Sequence, residues 1–273
     1  MKHAEYISQI EIESLWSGQH HVLWTLDRQV NILSGMNGVG KSTILNKVVR
    51  ALTPAKGCIA EITGDVHLTL APDGADTVRF DYIRSFDRPL INPDAVSMLN
   101  GSFATLATEL DFQIFTLQRR YLDYQVNIGN RMIAALQSGD ETATERARAI
   151  MEPKQRFQNL VDELFADTAK RIIRTENEIR FSQLGETLLP HQLSSGEKQM
   201  LAILLTVLVE DGQPHTLFLD EPEVSMHIEW QQRLIDDILC LNPNAQIVLA
   251  THSPAVIMNG WTDHVTDVDD IKD

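Results

Sequence analysis

The sequence predicts an α/β fold with a mainly parallel sheet at its core. Two runs carry this prediction: "TLFLD" ends at Asp220 and "QIVLA" ends at Ala250. Both are apolar without alternation, as in strands covered on both faces, and both are flanked by stretches with helical spacing. A third run, "VNIL" at residues 30–33, precedes a glycine-rich turn and another helical stretch. Strands that alternate with helices in this way are typical of a parallel sheet between helices.

Residues 1–95 add a second kind of strand pattern. The stretch "YISQIEIESLW" alternates apolar and polar residues, and "HHVLWTLDRQVNILSG" holds one or two further strands. Two more strands flank the turn "PDGAD", and "STILNKVVRALT" has helical spacing that Pro54 ends. Alternation predicts sheets with one face on the core. Residues 1–95 are therefore predicted to combine an antiparallel β-subdomain with the start of the parallel sheet.

Residues 96–188 change to a helical period. The stretch "FATLATELDFQIFTLQRRYLDYQVNIGNRMIAALQ" predicts a long helix that "SGDE" ends. The next stretch, "TERARAIMEPKQRFQNLVDELFAD", predicts one or two helices with Pro153 in a first turn, and "KRIIRTENEIRFSQ" predicts a short hairpin. We therefore expect three regions: residues 1–95, an inserted helical lobe at 96–188, and residues 189–273, which return to the sheet.

Composition places the chain among ordinary globular proteins, with 43% hydrophobic and 22% charged residues. The net charge of −15 disfavours a broad duplex-DNA footprint, although a local basic patch around Arg119 and Arg120 stays open. The two cysteines, Cys58 and Cys240, are predicted to be free thiols in a reducing cytosol. The start has no signal-peptide pattern, and no run reaches the roughly 18 apolar residues of a membrane span. We expect a cytoplasmic protein with no membrane partner.

The stretch "GMNGVGKST" at residues 35–43 fits the phosphate-loop pattern G-x-x-x-x-G-K-[ST]. Backbone N–H groups of a glycine-rich loop that leads into a helix can cradle phosphates. Lys41 would reach the β- and γ-phosphates, and the Ser42 hydroxyl would bind Mg²⁺. A glycine turn that only caps a helix is the weaker interpretation, because a strand precedes the loop and a helix follows it. The predicted phosphate-binding residues are Asn37, Gly38, Gly40, Lys41, Ser42 and Thr43.

Polar side chains follow both buried strands. Asp220 and Glu221 end "TLFLD" and begin "EPEVSMH", while His252 follows "QIVLAT". Ligands of open α/β sheets bind at the carboxyl ends of the strands, where these residues lie. Asp220 suits holding the water shell of Mg²⁺, and Glu221 suits orienting or deprotonating an attacking water. His252 can donate an N–H to a phosphate, although a lone histidine is more often structural.

The stretch "HQLSSGEKQ" precedes the apolar run "MLAILLTVLV". Ser194 or Ser195 can cap the helix that begins near Gly196, with Glu197 in its first turn. The same N–H groups and hydroxyls could also contact an anion. Ser194, Ser195, Gly196 and Glu197 are therefore candidates for binding a nucleotide as well as for capping.

These motifs occur in an order that resembles the ATP-binding-cassette (ABC) ATPases. Lys41 matches the Walker A lysine, and residues 193–197, "LSSGE", match the signature motif. Asp220 and Glu221 match Walker B and its catalytic glutamate, and His252 matches the switch histidine. The resemblance implies a P-loop NTPase of ABC ATPase type, with ATP and Mg²⁺ as cofactors. It implies that Glu221, His252 and Lys41 are catalytic and that Ser42 and Asp220 hold the metal.

The resemblance is nearest to the soluble branch of the superfamily: SMC and DNA-repair ATPases, OLD-family proteins, and ATPases of anti-phage systems such as Septu and its retron-linked relatives. The sequences "GEKQ", "EPEVSMH" and "THSP" point there. In such ATPases the signature motif faces the γ-phosphate held by another subunit, which implies an ATP-dependent homodimer or a higher oligomer. The helical lobe is too short for a long coiled-coil tether, because its longest helix reaches only ~50 Å.

Three points stay open at the level of sequence. The glutamine that transporter cassettes carry after an early strand is absent from "FDYIRSFDR", so Arg84 or Arg88 is a candidate phosphate contact. The adenine-stacking residue could be Trp16, His20 or Trp24. The helical lobe has a group of residues that either faces a partner or packs on the core: Arg119, Arg120, Tyr121, Tyr124 and Arg131.

The leading hypothesis is an ATP-binding and hydrolysing switch that controls a separate effector, such as a nuclease or toxin, in anti-phage defence. One alternative is a DNA-repair or SMC-like ATPase that acts on DNA, which the acidic charge does not support. A less favoured alternative is the nucleotide-binding subunit of a membrane transporter, against which the missing glutamine counts.

Overall fold

The structure is a computed structural model that describes residues 2–16, 18–53, 65–84, 108–139 and 141–273. It divides the chain into two compact units. The first unit consists of Met1–Ser85, Gln213–Leu239 and Pro243–Asp273, and the second of Phe86–Gly212 and Cys240–Asn242. The domain boundaries at residues 95/96 and 188/189 stay predictions.

The secondary structure alternates between strands and helices along most of the chain. The strands are β1 (Tyr6–Leu15), β2 (His20–Thr25), β3 (Val30–Ser34), β4 (Val66–Ala71), β5 (Phe80–Arg84), β6 (Lys170–Ile172), β7 (Phe181–Gln183), β8 (Glu186–Leu188), β9 (His215–Asp220), β10 (Ala245–Ala250) and β11 (Val265–Asp267). The helices are α1 (Lys41–Leu52), α2 (Glu109–Gln137), α3 (Ala143–Leu164), α4 (Ser195–Val209), α5 (Ile228–Leu241), α6 (Pro254–Met258) and α7 (Val268–Ile271).

A five-stranded parallel sheet forms the centre of the first unit, in the order β11-β3-β10-β9-β5. Every residue of β9 and β10 is buried, which explains why neither strand shows a polar face in the sequence. The parallel pairing places the carboxyl ends of β3, β9 and β10 at one edge of the sheet. The predicted α/β class with a parallel core is therefore confirmed.

An antiparallel sheet of β2, β1 and β4 shares a core with the parallel sheet. Helix α1 contributes Ile44, Leu45 and Val48 to this core, where they lie with Trp24 and Phe218. Each fully buried aliphatic side chain contributes about 1.5–3 kcal/mol to stability. The packing thus holds α1 against both sheets and fixes where its N-terminus points.

Helices α2, α3 and α4 form the core of the second unit. The packed face of α2 repeats every three or four residues, and its buried residues include Ile114, Leu117, Tyr121, Tyr124 and Ile128. Both tyrosines are at most 3% exposed, so they pack inside the unit and do not face a partner. Helix α4 is buried on all sides from Met200 to Leu208, as its uniform apolar sequence predicts.

One local prediction in this unit is wrong. Pro153 does not lie in a first turn, because α3 continues as one helix from Ala143 to Leu164 with Pro153 in its interior. The missing N–H of a proline leaves the carbonyl four residues earlier without its helical partner, here the carbonyl of exposed Ala149. Buried Phe157, Leu160 and others beyond the proline keep the helix in place, so packing overrides the local signal.

The predicted hairpin is present, with β6 and β7 antiparallel and Lys170 opposite Gln183. Strand β8 adds a third strand that the sequence analysis missed. Strand β11, a three-residue strand that pairs with β3 at the edge of the parallel sheet, was not predicted either. Strands this short carry too few residues for an alternation pattern.

The structure also bears on the predictions about the cysteines, Arg88 and membrane spans. Cys240 is an exposed free thiol, while Cys58 lies outside the described residues, as does Arg88. Within the described part of the chain, no helix combines the length and the apolar character needed to cross a membrane.

Candidate functional site

The loop between β3 and α1 has the shape of a phosphate cradle. Gly35 and Gly40 have φ values of 143° and 111°, which glycine adopts without strain. A Cβ atom at Gly40 would lie 2.7 Å from the ring of Trp16, so only glycine fits there. The helix that follows has no side-chain cap and no acidic residue in its first turn. Its first N–H groups are therefore available to an anion.

The other predicted loop residues differ in exposure. Asn37 and Gly38 are exposed at the tip of the loop, and Thr43 is exposed in the first turn of α1. Gly40 and Lys41 are buried beneath them. The exposed residues can contact a bound molecule with little rearrangement, while Lys41 is buried at the start of α1.

Lys41 lies at the centre of the site. Its ammonium donates to the carbonyl oxygens of Gly35 and Met36 at 3.0 and 3.2 Å, and Nζ lies 2.5 Å from Nε2 of His252. Burial lowers the pKa of Lys41 below its ordinary value of 10.5, while nearby carboxylates, Glu221 first, act to raise it. These contacts orient the ammonium towards the loop of residues 35–40.

The two predicted metal-holding residues are in direct contact. The Ser42 hydroxyl donates to Oδ1 of Asp220 at 2.7 Å, and the Tyr82 hydroxyl donates to Oδ2 at 3.2 Å. Burial, followed by the charge of Asp220, raises the pKa of Tyr82 to about 12. Tyr82 therefore remains a donor at neutral pH. A hydroxyl beside a carboxylate is an oxygen donor set that fits Mg²⁺.

Glu221 and His252 face each other from neighbouring strand ends. Oε1 of Glu221 lies 3.3 Å from Nε2 of His252. Glu221 has a φ of 50°, a left-handed conformation uncommon for a residue with a side chain, and its N–H donates to the Ala250 carbonyl at 2.8 Å. This bend directs the Glu221 side chain towards the edge where Lys41 and His252 lie.

A buried carboxylate that the sequence analysis did not select lies beside these residues. Oε1 of Glu223 accepts hydrogen bonds from the backbone N–H groups of His252 and Ser253 at 3.1 and 3.2 Å, and from the Thr251 hydroxyl. The available signal was a second acid two residues after Glu221, in "DEPE". Tyr82 was also missed, because one tyrosine at a strand end carries no pattern.

The three candidates for the adenine-stacking residue separate clearly. Trp24 is 1% exposed and belongs to the core of the first unit. Trp16 is 37% exposed, and its ring lies against Gly40 of the phosphate loop. The His20 ring meets Trp16 edge-on at 5.6 Å. Trp16 is therefore the candidate whose exposed face lies next to the cradle.

Arg84 lies at the same edge of the sheet, where it pairs in register with Asp220. Its guanidinium donates to Oδ1 of Asn46 at 2.6 Å and stacks over the Tyr82 ring at 4.8 Å. Arg84 is thus within the group of residues around Ser42 and Asp220, and its contact with phosphate stays a prediction.

The signature residues belong to the second unit. Ser194 caps α4 in a capping box with Glu197. The Glu197 carboxylate is 2% exposed and is engaged by the Lys170 ammonium at 2.7 and 2.9 Å and by the Thr168 hydroxyl at 2.9 Å. Gly196 is also buried, whereas Ser194 and Ser195 are exposed. Glu197 is therefore committed to holding the helix start together with Ser194, whose N–H and hydroxyl both donate to Oε2 of Glu197, at 2.9 and 3.0 Å. Exposed Ser195 presents the accessible donors.

Three solved structures are similar to the chain over most of its length. The first is an SMC head bound to the C-winged helix domain of ScpA, with 16% identity and a TM-score of 0.49, and the match covers 93% of this chain and 91% of that one. The second is an Smc head domain with an extended coiled coil bound to the C-terminal domain of ScpA, derived from Pyrococcus furiosus, with 13% identity, a TM-score of 0.47 and coverages of 93% and 91%. The third is the SMC head domain from Thermotoga maritima, with 14% identity, a TM-score of 0.47 and coverages of 98% and 94%. No curated protein matches the sequence.

A family model described as "AAA domain, putative AbiEii toxin, Type IV TA system" matches residues 116–259. This range contains the signature residues, Asp220, Glu221 and His252. The match, the phosphate loop and the parallel sheet agree on an ATPase-type, nucleotide-binding P-loop fold. Because the match spans more than half of the sequence, the chain belongs to this family of AAA domains.

Proposed function

We propose that this protein binds ATP with Mg²⁺, hydrolyses it, and uses the cycle to switch an ATP-sandwich homodimer that controls a separate effector. The observation that carries the proposal is the convergence of Lys41, Ser42, Asp220, Glu221 and His252 at one edge of the parallel sheet. An anion cradle, a metal-holding pair and a carboxylate beside a histidine are the parts that phosphoryl transfer to water requires.

ATP would lie along this edge with its phosphates in the loop of residues 35–40. Trp16 would stack on the adenine, because its exposed ring lies against Gly40. Lys41 would bind the β- and γ-phosphates from below. The Ser42 hydroxyl and the Asp220 carboxylate would hold Mg²⁺, which supplies positive charge at the phosphate oxygens.

In the hydrolytic step, a water oxygen attacks the γ-phosphorus and the bond to the β–γ bridging oxygen breaks. Glu221 orients the water and accepts its proton, so the products are ADP and inorganic phosphate. Lys41 and the imidazole of His252 donate to the γ-phosphate oxygens, where negative charge accumulates. The distance of 3.3 Å between Nε2 of His252 and Oε1 of Glu221 supports a shared role of the two groups at one water and one phosphate.

The dimer follows from the signature motif. Ser194 and Ser195 are exposed at the start of α4, yet the sequence contains one phosphate loop. In ABC-type ATPases this motif contacts the γ-phosphate bound by the other subunit. We therefore expect two copies to close over two ATP molecules, with Ser195 donating in trans while Ser194 caps α4.

The effector is the most distant part of the proposal. The matching family is described by a toxin of a type IV toxin–antitoxin system, which supports a place in a defence or growth-control system. A nuclease or toxin encoded as a separate chain would then respond to opening and closing of the dimer. Neighbouring genes and co-purifying proteins identify such a partner. Salt-sensitive DNA binding that stimulates turnover would favour an SMC-like role instead.

A turnover assay with matched variants tests the central proposal. Wild-type protein with ATP and Mg²⁺ should release phosphate. Glu221→Gln should bind ATP with similar affinity but hydrolyse it at least roughly 100-fold more slowly, since it loses the base. Lys41→Ala should lose both binding and turnover. Equal hydrolysis by wild type and Glu221→Gln would contradict the assignment of the base, and no Lys41-dependent turnover would contradict the ATPase itself.

A further inference from the structure

Glu223 connects the two loops that carry the reacting groups. It lies in the loop after β9, two residues beyond Glu221, and is 8% exposed. Its Oε1 atom accepts from three donors of the loop after β10: the N–H groups of His252 and Ser253, at 3.1 and 3.2 Å, and the Thr251 hydroxyl. One carboxylate oxygen, Oε1 of Glu223, thus accepts hydrogen bonds from three donors of the segment 251–253.

A second side chain supports the same junction. Gln231 of α5 accepts from the Ser253 hydroxyl at 2.6 Å, and its amide donates to the Met226 carbonyl at 3.0 Å. The Ser253 hydroxyl in turn caps α6 by accepting from the N–H of Ala255 at 3.2 Å. The backbone on both sides of His252 is therefore fixed to the loop that carries Glu221.

The negative charge of Glu223 suits this task. Hydrogen bonds to an ionised acceptor are roughly twice as strong as neutral ones, and a carboxylate has acceptor capacity for several donors. Among the described residues, Glu223 makes no hydrogen bond to the side chain of Lys41 or Ser42, and it raises the pKa of Lys41 less than Glu221 and Asp220 do. Its hydrogen bonds from segment 251–253 come from the Thr251 hydroxyl and from the backbone that orients the imidazole of His252.

We propose that Glu223 is a positioning residue that sets the distance between His252 and Glu221. With Glu223 in place, Nε2 of His252 stands 3.3 Å from Oε1 of Glu221 and 2.5 Å from Nζ of Lys41. Without it, the segment 251–253 loses its common acceptor, and the imidazole is free to leave the position from which it contacts the γ-phosphate. The effect on turnover rests on the proposed function, whereas the effect on the loop does not.

The first experiment measures steady-state ATP hydrolysis in variants that keep the fold. Glu223→Gln is nearly isosteric, and we expect its kcat to fall about tenfold with KM for ATP unchanged within about twofold, since a charge-assisted acceptor becomes a neutral one. Glu223→Ala should approach His252→Ala, with roughly a 100-fold loss in kcat. Glu229→Gln is the matched control, because Glu229 is exposed at the start of α5.

A double-variant cycle separates positioning from general stabilisation. If Glu223 acts through His252, the variant Glu223→Ala/His252→Ala turns over ATP no more slowly than His252→Ala alone. If the two losses multiply, Glu223 acts independently of His252 and the inference is overturned.

The second experiment is independent of activity. Amide hydrogen exchange of His252, followed by NMR, should be at least about tenfold faster in Glu223→Ala than in wild type or Glu229→Gln, because the N–H loses its acceptor. Unchanged exchange would overturn the inference. Faster exchange in a protein without Lys41-dependent turnover would leave Glu223 as the residue that holds the loop and would reject only the ATPase proposal.

Discussion

In the first unit, hydrogen bonds hold several of the polar side chains near the phosphate loop in place. Asp220 accepts from Ser42 and Tyr82, and the pKa of Tyr82 is raised to about 12, so the phenol stays protonated and keeps donating across the neutral range. Lys41 is oriented by the carbonyls of Gly35 and Met36. The site is thus ordered by its own hydrogen bonds before any phosphate arrives, which lowers the entropic cost of binding.

Trp16 provides the sharpest prediction at this scale. Trp16→Ala should weaken ATP binding about tenfold, because an aromatic ring stacked on a base contributes about 1–3 kcal/mol. Trp16→Phe should keep most of the affinity, since it retains an aromatic face. Titration with a fluorescent ATP analogue measures both. Unchanged affinity in Trp16→Ala would assign the adenine to another surface, while Trp24→Ala should lower stability because Trp24 is in the core.

At the scale of elements, the start of α4 is stabilised by contacts with its neighbours in the second unit. Lys170 of β6 pairs with Glu197, and Asp111 of α2 pairs with Lys198 at 2.8 Å. Both pairs are buried, so removing one partner leaves an uncompensated charge. Burial alone raises the pKa of Glu197, but the hydrogen bonds from Lys170, Ser194 and Thr168 outweigh it and hold the pKa below 4.5.

Lys170→Met should therefore destabilise the protein by about 3 kcal/mol at neutral pH, as measured by urea unfolding. The direction with pH follows from the lowered pKa of Glu197. Its contribution is fully present above the unfolded value of about 4.5 and is lost as the pH falls towards the folded-state value. The difference between wild type and Lys170→Met should shrink in that acid range. Arg171→Met, the exposed neighbour on β6, is the control, and a pH-independent difference would argue against the Glu197 charge as the cause.

At the scale of the whole molecule, the proposed homodimer can be tested at the signature motif. Ser195→Arg places a long side chain at an exposed position of the signature motif, away from the phosphate loop in sequence and in the other unit. We expect one protomer to bind ATP as before, while dimerisation in the presence of ATP and Mg²⁺ is lost. Light scattering after size-exclusion chromatography, with the Glu221→Gln background to retain ATP, measures the mass.

Ser182→Arg is the matched control for this prediction, because Ser182 is also exposed but lies on β7, outside the signature motif. It should dimerise like the parent. A Ser195→Arg protein that dimerises and turns over ATP normally would show that the signature motif does not contact the partner's nucleotide.

The sequence by itself determined the fold class and most of the residues at the candidate site. The phosphate loop could be selected by its G-x-x-x-x-G-K-[ST] pattern. Asp220, Glu221 and His252 could be selected because each follows an apolar strand, and ligands bind at the carboxyl ends of such strands. Periodicity predicted the long helix and the antiparallel strands, because both patterns can be read from neighbouring residues.

Only the tertiary structure decided which residues hold the candidate site in the first unit and which hold the start of α4 in the second. The hydrogen-bond partner of Glu223 is 28 residues away in the sequence, that of Tyr82 is 138 residues away, and that of Lys170 is 27 residues away. No local sequence pattern therefore marks these three residues. Packing likewise keeps α3 continuous through Pro153. It also buries Trp24 in the core, whereas the ring of Trp16 lies against the phosphate loop. A local sequence pattern indicates whether a side chain is buried or exposed. Its hydrogen-bond partners depend on distances that exist only after the chain has folded.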